Sequence, residues 1–313
     1  MNESIYHIFR SSSEDTDIMN ELFFHFFIAA LVVFILVAGF LIFIVRKYKS
    51  KKLEKDKYTV LENRSTERIT LFIASVLVIV FLFLTVKVMF RIQQTPSEEQ
   101  KPFVKITGHQ WWWEIEYLGD TLFTANELHI PTGDKFVALM ESADVVHDWY
   151  VPALGRKIDM VPGVTNFVWM QAREPGVYEG MCNEFCGAQH TWMRVEVFAH
   201  EPEEFEKWFQ EQKQKAVEKP DTLFQKGKQL FQDKVCANCH TIRGTSAKAK
   251  VGPDLTHFAS RNKMLGGKAE VNFQNIKDWI EDPQKMKHGA YMPNFLMTEE
   301  EINALAHYLH NLK

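Results

Sequence analysis

The sequence is poor in cysteine and close to neutral. Its 313 residues contain four Cys, and 36 Lys and Arg against 40 Asp and Glu leave a net charge of −4. That balance gives no footprint for nucleic acid as a partner. The first twenty residues lack the basic start and small-residue cleavage site of a secretory signal. The first apolar run is therefore expected to stay as an uncleaved anchor. Four cysteines can close two disulfides in an oxidising compartment. Their spacing argues for ligands instead. Cys182 and Cys186 lie in CNEFCGAQHTWM at 182–193, Cys236 and Cys239 lie in CANCH at 236–240, and each pair has a His just downstream.

Apolar and aromatic residues are abundant, including 25 Phe and 8 Trp. Leu22–Val45 is apolar throughout except for His25, and Ile69–Phe90 is a second such run. At about 1.5 Å per residue, helices of this length cross a bilayer core of about 30 Å. Lys87, near one end, can snorkel to the interface. The alternative, two helices buried in a soluble core, conflicts with runs this long and without a polar face. His25 is expected to contact a neighbouring helix near the interface. The loop between the runs reads RKYKSKKLEKDKYTVLENRSTER, whereas the flanks hold only Arg10, Arg91 and Lys101. The positive-inside rule puts this loop in the cytoplasm and both termini outside.

Residues 101–200 have a different texture. FVKITGHQWWWEIEY, KFVALMES, VTNFVWMQA and MRVEVFAH are rich in β-branched and aromatic residues and are separated by LGD, PTGD, VPGV and REPG. Many short strands in such a length predict a β-sandwich or barrel. At its end Cys182 and Cys186 place two thiolates on one loop, His190 and Met193 follow, and SADVVHDW contributes His147 at a strand end. Thiolates select copper or zinc, and imidazole suits both. A thioether ligand argues against zinc. Two Cys, two His and one Met make a copper set. The alternative is a structural zinc site in which Met193 merely fills core.

Residues 201–220 are charged and helical in pattern at first, until Lys219-Pro220-Asp221 breaks it, which marks a linker. A helical module, 221–313, follows. Its Cys236-Ala-Asn-Cys239-His240 run is the attachment pattern of c-type haem, in which both thiols bond the porphyrin and the imidazole binds iron. A thioredoxin-like redox pair would want a βαβ setting, but the flanks here are helical. Thr298 and Glu301 form a capping box for the last helix, Ile302, Leu305 and Leu309 give its apolar stripe, and Gly227 lets the first helix cross it closely. The second axial ligand is to be sought among Met264, Met286, His288, Met292 and Met297. Pro293 stiffens the loop at Met292, which favours that residue.

The stretches GHQWWWEIEY, SADVVHDWYVPALGRKIDMVPG and CNEFCGAQHTWM resemble subunit II of cytochrome c oxidase, and VGPDL and YMPNF resemble class I cytochromes c. The chain thus resembles the form of subunit II with a fused C-terminal cytochrome c domain. The resemblance implies a multi-domain chain: a two-helix transmembrane hairpin in 1–100 with spans at about 22–45 and 69–90, an all-β cupredoxin-like sandwich in 101–200, a linker in 201–220 and an all-α class I cytochrome c domain in 221–313.

It also implies roles. Cys182 and Cys186 would bridge a dinuclear copper A centre, His147 and His190 would each bind one copper, and Met193 and the Glu184 carbonyl would be weaker ligands. The Glu184 side chain would help hold magnesium or manganese at the boundary with subunit I, with Asp159 close by. Trp111 would be the surface residue through which electrons reach copper, while Trp112 and Trp113 face core and membrane-side neighbours. Glu67 would guard the entrance to a proton channel, Gly252 and Pro253 would support the loop of His240, and Met292 would be the axial ligand. No cysteine is then left for a disulfide.

The expected function is the electron-input subunit of a proton-translocating cytochrome c oxidase in a bacterial inner membrane, with both redox domains on the periplasmic side. Haem c would pass electrons to copper A and on to haem in subunit I, where oxygen becomes water. Cytochrome c or another respiratory donor, subunit I, other oxidase subunits and the bilayer would be its partners. A copper A nitric oxide reductase is the alternative. A quinol oxidase subunit typically lacks the copper ligands, and a tethered metallochaperone would leave the haem module unexplained.

Overall fold

A computed structural model describes residues 11–49, 64–97, 99–120 and 122–313. Arg10 and most of the basic loop lie outside the described residues. Asp17–Thr95 form one compact unit, and the two domains after Pro96 form another. Helix α1 spans Glu14–Lys47 and α2 spans Arg64–Ile92, each several residues longer than its apolar run. Once nucleated, a helix continues through polar flanks because each added residue gains a hydrogen bond. None of their most apolar stretch is buried within the protein, as expected of surfaces that meet lipid. The rings of Phe26 and Phe81 meet at 4.1 Å. His25 engages its own helix, with Nδ1 2.8 Å from the Glu21 carbonyl. Glu67 lies exposed in the first turn of α2.

The sandwich is built from β1 (Val104–His109), β2 (Trp112–Tyr117), β3 (Leu122–Ala125), β4 (Glu127–Pro131), β5 (Phe136–Ser142), β6 (His147–Tyr150), β7 (Ile158–Met160), β8 (Asn166–Met170), β9 (Gly176–Cys182) and β10 (Arg194–His200). One sheet has the order β3-β2-β1-β5-β8 and the other β4-β10-β9-β6-β7. The β1–β5 and β4–β10 pairs are parallel, and the others are antiparallel. Burial alternates along β1 and β2, the period-2 signature of one face turned inward. Trp113, Tyr117, Trp149 and Tyr178 fill the core. Ser12 also binds here: its N–H donates to the Ala153 carbonyl at 3.0 Å, and its hydroxyl lies 2.7 Å from that of Tyr178.

Helix α3 (Pro202–Gln212) occupies the first half of the segment expected to link the domains. Phe205 is buried in the sandwich core, and Trp208 and Phe209 pack beside it. The helical module contains α4 (Thr222–Asp233), α5 (Phe273–Glu281), α6 (Pro283–Met286) and α7 (Glu299–His310). The capping box is present: the Thr298 hydroxyl accepts from the Glu301 N–H, and the Glu301 carboxylate accepts from the Thr298 N–H at 2.9 Å. Helices α4 and α7 touch at Gly227. A Cβ there would stand 2.1 Å from the Ala304 carbonyl oxygen and 2.6 Å from Tyr308 Cβ, both too close to accommodate. Gly227→Val is therefore expected to destabilise the helical module by about 1–3 kcal/mol. An unchanged denaturant midpoint for the haem absorbance would show that the helices do not need this close crossing.

Candidate metal and haem centres

The first centre forms where β9 ends and β10 begins. Cys182 closes β9, and a loop returns through Cys186 to a short turn at His190–Trp192 before Met193 and β10. His147 comes from the start of neighbouring β6. The sulfurs of Cys182 and Cys186 lie 3.7 Å apart. His147 Nδ1 is 3.9 Å from the Cys182 sulfur, and His190 Nδ1 is 3.6 Å from the Cys186 sulfur, so each thiolate has its own imidazole. Met193 Sδ lies 3.8 Å from the Cys186 sulfur and is fully buried. The Glu184 carbonyl lies 3.2 Å from the Cys182 sulfur, whereas its side chain is exposed.

These distances bring together all six residues that the resemblance assigns to copper. Their chemistry fits a soft, thiophilic metal pair: two thiolates, two imidazoles, a thioether and a carbonyl. Hydrogen bonding with Cys186 holds the Cys182 thiol down at about 3, against the effect of burial. The same contact pushes the Cys186 thiol up. Sharing a proton in this way favours the thiolate at Cys182, the form that binds metal. The other ring nitrogen of His147, Nε2, lies 2.8 Å from Asp144 Oδ1. That contact fixes the tautomer and turns Nδ1 toward the sulfurs.

Two side chains tie the loop to β1 and β2. The Trp111 indole N–H donates to the Cys186 carbonyl at 3.0 Å, and the Gln110 amide donates to the same oxygen at 2.7 Å. Gly187 has φ +119°, and a Cβ there would lie 2.9 Å from the Trp111 ring. Trp111 was expected at the surface but is only 7% exposed. Tyr291 of the helical module stacks on it, with ring centroids 5.8 Å apart, and Gly289 covers its edge. Trp113 lies in the sandwich core, edge-on to Trp149. Trp112 stacks on His109 and reaches the cavity of the second centre.

That cavity holds Cys236, Cys239 and His240 together with Met292, and Trp111 and Trp112 contribute to its wall. His240 Nδ1 lies 2.8 Å from the Pro253 carbonyl, which as an acceptor fixes the proton on Nδ1 and leaves Nε2 for a metal. A Cβ on Gly252 would stand 2.6 Å from the His240 ring, so this position requires glycine. Burial lowers the His240 pKa, which favours the neutral, ligating imidazole. A largely apolar cavity with two thiols and an imidazole fits covalent haem. Of the five axial candidates, Met264, Met292 and Met297 line the cavity, and Met286 and His288 do not.

Sequence reasoning passed over Asp148, next to His147. It is 1% exposed, its carboxylate oxygens have no hydrogen-bond partner, and it pairs in register with the exposed Asp159. Burial and the Asp159 charge push it up to about 7. Its one sequence signal is an acidic residue wedged between His147 and the aromatic Trp149 and Tyr150.

A cupredoxin-like sandwich and a helical haem-type domain, joined to helices able to cross a membrane, define a membrane protein with two electron-transfer domains in tandem. The family model described as the cytochrome c oxidase subunit II periplasmic domain matches residues 120–199, and the cytochrome c model matches 224–313. The chain is 35% identical over 292 residues to cytochrome c oxidase subunit 2 of Alkalihalophilus pseudofirmus, covering 91% of this chain and 84% of that one. It is 31% identical to the Bacillus subtilis subunit 2 over 67% of this chain and 62% of that protein's length. The solved periplasmic domain of subunit II (CoxB) from Bradyrhizobium japonicum is 29% identical over 38% of this chain and 97% of that one, with a TM-score of 0.36. The chain belongs to the cytochrome c oxidase subunit 2 family. These two domain families imply copper A and haem c as cofactors.

Removing the partner of a metal-binding imidazole loosens the metal. Asp144→Asn is expected to weaken copper retention by about tenfold, measured as copper left after dialysis against a chelator. Retention equal to that of the unaltered protein would show that the His147–Asp144 contact does not support the site.

Proposed function

We propose that this chain is the electron-input subunit of a proton-translocating cytochrome c oxidase, with haem c as the donor to copper A and subunit I as the next acceptor. When bound, each of the two groups supplies a one-electron redox couple. Cys182, Cys186, His147, His190, Met193 and the Glu184 carbonyl would hold the copper pair, and Cys236, Cys239, His240 and Met292 the haem. The observation that carries the reading is Trp111. Its ring forms part of the haem cavity wall, and its indole N–H donates to the backbone of Cys186. The haem cavity and the copper loop thus share one aromatic side chain and its hydrogen bond. With Tyr291 and Gly289 over Trp111, an external donor would deliver electrons to the haem domain rather than to this tryptophan.

The residues' task is to hold both groups still. The ligands sit at strand ends and on a loop pinned by Gln110 and Trp111, so little reorganises when charge moves. Six such ligands would leave the copper pair no open position for substrate, so in this reading oxygen reduction belongs to a partner subunit. We place the redox domains on the periplasmic side, because the intervening loop is rich in Lys and Arg. Glu184 as a magnesium ligand with subunit I, Glu67 at a proton-channel entrance, and domain limits near 101, 201 and 221 belong to the same reading. A copper A nitric oxide reductase would share this input module.

The purified complex decides. Oxygen consumption with reduced cytochrome c supports the oxidase reading, and turnover of nitric oxide but not oxygen overturns it. The double change Cys236→Ala, Cys239→Ala should abolish haem staining on denaturing gels. Cys182→Ser should remove the near-infrared and mixed-valence EPR signals; their persistence in that variant would refute the copper assignment.

A further inference from the structure

The haem domain is bolted to the copper domain by a buried lysine. Lys287 is 4% exposed, five residues ahead of Met292. Its ammonium donates to three backbone carbonyls: Trp111 at 2.8 Å, Leu265 at 2.9 Å and Trp192 at 3.0 Å. Trp111 belongs to the cavity wall, Trp192 directly precedes Met193, and Leu265 belongs to the haem domain. Three donors meeting three acceptors satisfy an ammonium fully. Burial, with Lys268 nearby, pulls its pKa down to about 7, and the carbonyls offset that cost for the charged form.

Other contacts hold the same pose. Arg194 donates its N–H to the Gly266 carbonyl at 3.1 Å, and Gln189 donates its side-chain amide to the His288 carbonyl at 2.6 Å. The Tyr291 hydroxyl donates to Gln110 at 2.7 Å. Lys263 lies 2.7 Å from Glu196 and 3.2 Å from Glu179. Gly266, at φ +70°, passes so close that a Cβ would stand 2.2 Å from the Trp192 carbonyl. Among these groups Lys287 alone touches the haem loop, the tryptophan wall and the copper loop together.

We propose that Lys287 is a positioning residue for electron transfer between the two centres, fixing the Met292-bearing loop and Trp111 against the turn that leads into Met193. This rests on the oxidase-type reading above. In the step it serves, haem iron loses one electron and the copper pair gains it; no bond forms or breaks. A buried cation with three strong acceptors sets one register between the domains, to which the part-buried ion pairs of Lys263 with Glu196 and Glu179 add.

The test uses the whole purified complex carrying Lys287→Met, with Lys287→Arg as the charge-retaining control. A second variant, Gly266→Ala, keeps the lysine but crowds the same junction, because its methyl would stand 2.2 Å from the Trp192 carbonyl and 3.2 Å from Lys287 Nζ. Both centres should keep their absorption and EPR signatures. The rate from photoreduced haem c to copper should fall about tenfold or more in Lys287→Met and in Gly266→Ala, with partial recovery in Lys287→Arg. Amide hydrogen exchange at 111–113 and 264–267 should speed up in parallel. An unchanged rate and unchanged exchange with both centres intact would overturn the proposal, as would loss of a centre in both variants. If the unaltered complex shows both centres but no transfer between them, the oxidase-type reading fails, and the exchange data still decide whether Lys287 holds the domains together.

Discussion

The Cys186 carbonyl is the point on which the rest of the assembly depends. It accepts from Gln110 and from Trp111, and both donors belong to the turn between β1 and β2. One backbone atom therefore locks the copper loop to the β1–β2 turn, which also lines the haem cavity. A buried carbonyl left without these donors would cost about 1–3 kcal/mol. The lock explains why Gly187 must take positive φ beside the Trp111 ring, and why the ring cannot swing out to the surface. Tyr291 then has a fixed plane on which to stack.

Both centres use the same device for orienting a histidine. Asp144 engages His147 Nε2 and the Pro253 carbonyl engages His240 Nδ1. In each case one ring nitrogen is committed to a nearby oxygen and the other faces the cavity or the sulfurs. The acceptors differ for a physical reason. Beside two thiolates a carboxylate adds negative charge, which would suit a cationic metal pair. In the apolar haem cavity a neutral carbonyl orients the ring without burying a further charge.

What the sequence shows is what is local. CNEFCGAQHTWM and CANCH carry their ligands within a few residues, so spacing alone places them, and the capping box at Thr298 and Glu301 is equally self-contained. The apolar runs needed only length and composition. The hidden features are contacts between distant segments. Phe205 enters the sandwich core although its neighbours are charged, because one aromatic face of α3 suffices to dock a helix. Trp111 is covered by residues 289–291, almost two hundred positions away, so no local pattern reveals its burial. Lys287 reads in sequence as one more surface cation in PQKMKHG. Asp148 gives a signal, a carboxylate between a histidine and two aromatic residues, but its facing Asp159 requires the β6–β7 register.

Fusing the donor to the acceptor changes which physical quantity limits the transfer. Two separate proteins must find each other, and steering by long-range charge sets that rate. Here the haem domain is already docked, so encounter no longer matters and register does. That shift accounts for the composition of the junction. A surface built for repeated encounter needs exposed charge that releases readily in salt. This one instead buries an ammonium among carbonyls, stacks Tyr291 on Trp111 and packs a glycine where no side chain fits. Such contacts are short-ranged and little screened, and they suit a partner that is not meant to leave. In the proposed reading, encounter is then displaced to the outer face of the haem domain, where a mobile donor would arrive.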